Sequence, residues 1–234
     1  MKNALEQVEG IRKRTATVFF IIDRSGSMSG TKIGALNHAM GESIPEMCKL
    51  VSDNADANLD IAVLLFADNA LWMTAKPTPI SEFHWENIDV QGETNFSGAL
   101  VELNKKLSQQ SGFMKKAGES FAPAFILMSD GQPTSDYRSA LQNIKRNGWF
   151  DAGIKTAIAI GDDCDKDVLA EFTGSKECVI EVHNAADLAK TIKFVSVTST
   201  RVATNMSSNT AQSETNQAPI ITVPDDLLEE YDEF

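Results

Sequence analysis

Five oxygen-bearing side chains lie where predicted strands or loops end, and together they have the chemistry of a metal site. Asp23, Ser25 and Ser27 alternate directly after an apolar run. Thr94 lies in the segment GETNFSGAL, and Asp130 ends the segment FILMSD. A set of carboxylates and hydroxyls without His or Cys favours a hard cation. We therefore predict that these residues bind Mg²⁺, with Mn²⁺ or Ca²⁺ as alternatives.

The apolar run before Asp23 explains why a cation is needed. Residues 17–22 predict a strand that is buried on both faces, where an unpaired carboxylate is costly. A bound cation would compensate the charge of Asp23. Because neutral hydroxyls supply much of its shell, the ion is expected to stay electrophilic and to bind a Glu or Asp carboxylate of a partner protein.

Each fragment also has an ordinary structural explanation. The stretch DRSGSM by itself is compatible with a strand-to-helix turn that carries capping serines. Thr94 alone is typical of a helix N-cap, and Asp130 alone is typical of a turn. The three fragments become specific as a set, because each one adjoins the predicted element that a shared site requires.

The elements that must position these residues are predicted by hydrophobic patterning. Continuous apolar runs indicate parallel strands between helices, at 17–23, 59–67, 121–130, 155–161 and, more weakly, 178–183. Apolar residues at helical spacing predict a first helix that begins near residue 33. Further helices are predicted at 97–109, 135–147, 165–174 and 184–199. Segment 70–79 follows the second strand closely enough for a hairpin. The expected fold is α/β, a three-layer, Rossmann-like α/β/α sandwich whose mostly parallel six-stranded sheet has one antiparallel strand.

Such a sheet places ligands beyond the carboxyl ends of its strands, where the strand order reverses. If the strand that ends at Asp23 and the strand that ends at Asp130 are neighbours at this point, the five side chains converge. Their convergence is the prediction that the tertiary structure tests.

Composition limits the classes of partner and compartment. The net charge of −12 opposes nucleic acids and anionic membranes, whose binding depends on basic residues. Three cysteines without CxxC spacing indicate neither a disulfide framework nor a zinc site, so the reduced cytoplasm is the simplest location. The opening MKNALEQVEGIRKR lacks the apolar stretch of a signal peptide. We expect a cytoplasmic protein.

The chain divides into three parts by composition. Residues 1–199 are the predicted folded domain, residues 200–218 are a polar linker of disordered type, and residues 219–234 are an acidic tail. The tail interleaves Leu, Tyr and Phe with its acids, so docking and simple solvation both remain open. A second acidic cluster, residues 162–167, invites a calcium interpretation but lacks the EF-hand glycine and closing glutamate, which favours a turn with helix capping.

The ordered set Asp23-x-Ser25-x-Ser27, Thr94 and Asp130, the last within LMSDGQPT, resembles the metal-ion-dependent adhesion site (MIDAS) of von Willebrand factor A (VWA) domains. The segments GWFDAGIKTAIAIGDDCD and KFVSVTST resemble the bacterial TerY-like branch that is associated with tellurite-resistance operons. The resemblance implies a sheet ordered 3-2-1-4-5-6 and protein–protein interaction rather than catalysis. It also implies a setting with a protein kinase and a PP2C-type phosphatase.

One residue departs from the family pattern. Glu93 stands where the family commonly has Gly before the threonine. An extra carboxylate there would either tighten metal binding or weaken the attraction of the metal for a partner carboxylate.

The favoured function is therefore a metal-dependent interaction module without enzymatic activity, an adaptor in a bacterial stress response. One alternative is a metal-assisted phosphohydrolase with Asp23 as nucleophile, although Ser25 replaces the second aspartate of a DxD signature and there is no Walker lysine. Another alternative is a kinase substrate that is phosphorylated within the Ser/Thr-rich stretch 198–215.

Overall fold

The structure, a computed structural model, describes residues 13–205 except 53–56, 109, 117 and 163. Its strands are β1 Arg14–Asp23, β2 Ala57–Phe66, β3 Ala70–Trp72, β4 Thr78–Pro79, β5 Ala124–Ser129, β6 Ile154–Ile160 and β7 Val179–Val182. Its α-helices are α1 Thr31–Ser52, α2 Phe96–Lys106, α3 Arg138–Lys145, α4 Gly148–Ala152, α5 Lys166–Thr173 and α6 Ala185–Asn205.

All of these strands form one sheet with β1 at its centre. The order is β3-β2-β1-β5-β6-β7. When the short β4 is left out of the numbering, this is the predicted order 3-2-1-4-5-6. Strand β1 is parallel to both β2 and β5. The predicted hairpin segment 70–79 contains two short strands, β3 and β4, instead of one, and both pair antiparallel with β2. Six strands were predicted, and the sheet of the described residues therefore has seven.

Helices cover both faces of the sheet, and the alternation along β1 shows why its sequence is continuously apolar from Val18 to Ile22. Phe20 and Ile22 pack in the core that α1 and α6 cover. Phe19 and Ile21 pack in the core under α2, α3 and α5. The three-layer α/β/α fold is thus confirmed. Helices α1 and α6 have 22 and 21 residues, and within the described ranges no helix combines the length and apolarity needed to cross a membrane.

The acidic cluster after β6 has a capping role. The Asp165 carboxylate accepts hydrogen bonds from the backbone N–H groups of Asp167 and Val168, at 3.2 and 3.4 Å, and so caps α5. Asp162 lies 2.6 Å from Nδ1 of His183. The capping interpretation of these aspartates is therefore correct for Asp165.

Helix α6 extends past the predicted domain boundary. The sequence placed the linker at 200, but α6 continues to Asn205, and both Thr200 and Ala203 are fully buried. Composition was misleading because the hydroxyls bond within their own helix: Thr200 Oγ1 donates to the Ser196 carbonyl at 2.8 Å, and Thr204 Oγ1 donates to the Thr200 carbonyl at 2.9 Å. The remainder of the linker and the tail at 219–234 lie outside the described residues.

Truncation tests this boundary. A chain that ends after residue 199 loses buried residues of α6, and we expect it to be less stable than the full-length chain by about 2 kcal/mol or more. A chain that ends after residue 205 is expected to keep the full-length stability. Thermal and urea unfolding of the two truncated proteins measure the difference, and equal stability would show that the last turns of α6 contribute nothing.

Candidate metal centre

Two carboxylates meet at the edge of the sheet where β1 and β5 end. Asp23 is the last residue of β1, and Asp130 follows β5 directly. The two strands pair in parallel with Ile22 opposite Met128, so they end at the same level. Asp23 is fully buried and Asp130 is 3% exposed. The strands that carry the two acids are therefore neighbours, as the prediction required.

The loop after β1 folds back onto its own carboxylate. The backbone N–H of Ser25 donates to Oδ1 of Asp23 at 2.9 Å. The hydroxyl oxygens of Ser25 and Ser27 lie 3.0 Å apart, so both face the same space. Residues 26–28 form a short 3₁₀ turn, and the Ser25 side chain makes no capping bond to it. The capping-serine alternative is thus not what the structure shows for Ser25.

The Thr94 loop is tied to both aspartate loops by backbone hydrogen bonds. Gly26 N–H donates to the Gly92 carbonyl at 3.0 Å. The Thr94 carbonyl accepts from Thr134 N–H at 3.0 Å, which links it to the loop after β5. Asn95, rather than Thr94, caps α2 by accepting from Gly98 N–H. Because Asn95 provides the cap, the hydroxyl of Thr94, which is 5% exposed, is not the capping group of α2.

Asp68 fixes the shape of this loop, a role that the sequence did not reveal. Its Oδ1 accepts from Glu93 N–H at 2.8 Å, and its carbonyl accepts from the Asn95 amide at 3.0 Å. Gly92 has a φ of +63°, and a Cβ there would lie 2.1 Å from Oδ2 of Asp68, so only glycine allows the contact. The Glu93 side chain is exposed, and the loop therefore accommodates this departure from the family pattern.

Ser129 is a second residue that sequence reasoning missed. Its hydroxyl donates to Oδ2 of Asp23 at 2.6 Å and accepts from Gly131 N–H at 2.9 Å. With the bond from Ser25, each oxygen of Asp23 has a donor. The sequence did offer a signal for Ser129, because this residue is polar although it ends a run that is otherwise apolar and buried.

Asp23 and Asp130 differ in the hydrogen-bond donors and charged groups that surround their carboxylates. Burial raises the pKa of Asp23, hydrogen bonds from Ser129 and Ser25 oppose this, and the charge of Asp130 raises it further. Oδ1 of Asp130 is buried and accepts no hydrogen bond from the described residues. Lys32 Nζ lies 3.9 Å from the other oxygen, Oδ2. An orphaned buried carboxylate oxygen is what a cation-binding position is expected to show.

The donor set fits a hard cation. No three side chains of the His, Cys, Asp and Glu types cluster for a metal in the described part of the chain, so the hydroxyls are essential to any centre here. Burial raises the pKa of the nearby Cys164 thiol to about 12, with the charges of Asp130 and Asp165 adding to the effect. This thiol is therefore poorly suited to bind a soft metal or to act as a nucleophile.

Comparison with known proteins gives matches in structure alone: no protein-family model and no curated protein matches the chain. Proximal thread matrix protein 1 from the mussel byssus, in a form with a zinc-occupied MIDAS motif, has a TM-score of 0.58 and 16% identity over 79% of this chain and 48% of that chain. The pilus adhesin SpaC of Lactobacillus rhamnosus GG has a TM-score of 0.63 and 12% identity over 81% of this chain and 30% of that one.

The ArnB paralog VWA2 of Sulfolobus acidocaldarius has a TM-score of 0.53 and 15% identity over 77% of this chain and 44% of that chain. The chain spans less than half the length of each of these three structures. At such low identities the likeness establishes the fold, which is the three-layer sandwich of VWA domains. The function of this chain has to be argued from its own residues.

Proposed function

We propose that the chain is a metal-dependent protein–protein interaction module. Asp23, Ser25, Ser27, Thr94 and Asp130 hold a divalent cation, Mg²⁺ in the first instance, and a Glu or Asp of a partner protein completes its shell. The observation that carries the proposal is the buried Oδ1 of Asp130, which has no hydrogen-bond partner among the described residues, at the edge where the fully buried Asp23 ends the neighbouring strand and the hydroxyls of Ser25 and Ser27 lie 3.0 Å apart. When bound, the cation supplies the positive charge that attracts an anionic ligand.

The arrangement of burial supports an external ligand. Asp23 lies beneath the site with no exposed surface, whereas Ser27 is exposed on the outer side. Of the five proposed ligand residues, Ser27 alone is exposed, so the site is open to solvent on the side of Ser27. A partner carboxylate would approach the cation from this side.

The position of Asp23 supports the hydrolase alternative less well than it supports the interaction module. Asp23 is fully buried and both of its oxygens accept hydrogen bonds, so the carboxylate is not presented to a phosphoryl group. We therefore infer that the chain has no turnover of its own. Phosphatase, nucleotidase and nuclease assays with Mg²⁺ or Mn²⁺ are expected to read background, and turnover that Asp23→Asn abolishes would contradict this.

Helix α6 reduces the number of hydroxyls that a kinase could phosphorylate. Ser199 and Thr200 are fully buried and Thr204 is 4% exposed, so these three hydroxyls are not available to a kinase in the folded protein. The serines and threonines at 207–215 lie outside the described residues. Phosphorylation there stays a prediction that is compatible with the interaction module.

The sequence resemblance to the TerY-like branch extends the proposal to a cytoplasmic adaptor in a bacterial stress-response or tellurite-resistance-type system. A protein kinase and a PP2C-type phosphatase are the partners that this resemblance implies. Support for this finer assignment comes from the quoted sequence motifs.

Paired variants in one loop test the proposal. Calorimetric titration of the wild-type protein with Mg²⁺ and Mn²⁺ is expected to show one site, and Asp130→Ala is expected to lose it because an acidic ligand is removed. Asp136→Ala is the matched control, since this carboxylate has 70% of its side chain exposed and lies 3.8 Å from Arg138. A partner captured in Mg²⁺ is expected to elute with chelator.

Asp130→Ala is expected to capture no such partner, whereas Asp136→Ala captures it like the wild-type protein. Equal metal binding by Asp130→Ala and the wild-type protein would refute the site. Capture that persists in chelator would refute metal-dependent binding.

A further inference from the structure

Lys32, the second residue of α1, lies at the candidate metal centre. Its ammonium is a cation and a hydrogen-bond donor, so it is not one of the proposed metal ligands. Its Nζ donates to the Ser27 carbonyl at 3.2 Å and lies 3.9 Å from Oδ2 of Asp130. The amine therefore bridges two of the loops that carry the proposed ligands. About one third of the side chain is exposed, at 32%, so solvent and ligands can reach it.

A glycine leaves room for the amine in this place. Gly161, in the turn after β6, has a φ of +95°, and a Cβ there would lie 3.0 Å from both Cε and Nζ of Lys32. Gly161 N–H donates to the Val182 carbonyl at 2.8 Å, which ties the turn to the next strand. The end of the Lys32 side chain thus lies between the Ser27 loop and the Gly161 turn.

We propose that Lys32 is a further residue of the binding site, whose ammonium contacts the anionic group of the ligand beside the metal. This inference rests on the proposed function and specifies the chemistry of that ligand as a carboxylate. One carboxylate oxygen meets the cation and the other meets Lys32. An ammonium has three donors, and the Ser27 carbonyl takes one of them, so donors remain for the ligand.

The proposal predicts that the charge of Lys32 affects metal affinity and carboxylate affinity in opposite directions. A positive charge close to the cation repels it and weakens metal binding, because like charges at short range interact unfavourably. The same charge attracts an anion to the loaded site. Removal of the ammonium therefore strengthens metal binding and weakens carboxylate binding. A lysine that served merely as a counter-ion of Asp130 would produce the first effect without the second.

The test uses the full chain with Mn²⁺ and acetate as probes. Electron paramagnetic resonance of free Mn²⁺ gives the metal affinity, and water-proton relaxation by bound Mn²⁺ gives acetate binding as water is displaced. We expect Lys32→Met to bind Mn²⁺ about threefold or more tightly, and acetate about fivefold or more weakly, than the wild-type protein at low ionic strength. Lys32→Arg keeps the charge and is expected to keep most of the acetate affinity.

Lys49→Met is the matched control, since it removes the same charge from an exposed position in the last turn of α1. It is expected to match the wild-type protein in both measurements. Acetate affinity that is unchanged in Lys32→Met, while Mn²⁺ still binds, would overturn the role of Lys32. Absence of Mn²⁺ binding by the wild-type protein would instead overturn the proposed function, so the two failures are distinguishable.

Discussion

Saturating Mn²⁺ is expected to raise the melting temperature of the wild-type protein by about 5 to 10 °C, and to leave that of Asp23→Asn unchanged. A cation that binds the folded state alone stabilises it by mass action, by about 2.7 kcal/mol at a hundredfold excess over the dissociation constant. Asp23 is the fully buried carboxylate of the site, and asparagine keeps its size but not its charge. Thermal unfolding followed by circular dichroism measures the shift.

The control for this prediction removes a different carboxylate at the same edge of the sheet. Asp162 follows β6 and has 81% of its side chain exposed, so Asp162→Asn is expected to keep the full metal-dependent rise. Chelator is expected to lower the wild-type melting temperature to its metal-free value. A rise of equal size in Asp23→Asn and the wild-type protein would show that the stabilising metal binds elsewhere.

The substitution Phe125→Ala is expected to lower the free energy of unfolding by about 3 to 5 kcal/mol, which is the usual cost of deleting a buried aromatic ring. Phe125 is fully buried on β5. Its ring lies 5.2 Å from that of Phe19 on β1 and 5.1 Å from that of Phe150 on α4, so its loss opens a cavity between the sheet and the helices. Urea unfolding measures the change.

A surface truncation in the same layer controls for the loss of apolar area. Val101 on α2 is 57% exposed, and Val101→Ala is expected to change the free energy of unfolding by less than about 0.5 kcal/mol. The folded fraction of Phe125→Ala is expected to bind metal like the wild-type protein, because Phe125 lies four residues before the end of β5 at Ser129. A stability loss below about 1 kcal/mol would mean that the neighbouring rings refill the space.

The sequence was sufficient to predict the fold class, which the structure confirms, and to propose the residues of the candidate site, because both predictions depend on local patterns. Strands buried on both faces must be continuously apolar, and β1 and β5 were identified for that reason. Polar oxygens directly after such strands mark the edge where parallel strands end. Asp23 and Asp130 were found in this way, and Thr94 was found from its place before a helix.

The tertiary structure alone decided which side chains support that site. Ser129 bonds to Asp23 across 106 residues of sequence, and Asp68 holds a loop that begins more than twenty residues later. Lys32 approaches Asp130 because the Gly161 turn leaves room for its amine. The polar residue type of Ser129 at the end of an apolar run was the one local hint of these contacts; the contacts themselves depend on strand order and loop geometry rather than on neighbouring residues. The end of α6 was not predicted for a related reason: the hydroxyls of Thr200 and Thr204 are buried and donate to carbonyls of their own helix, so a polar composition conceals a packed face.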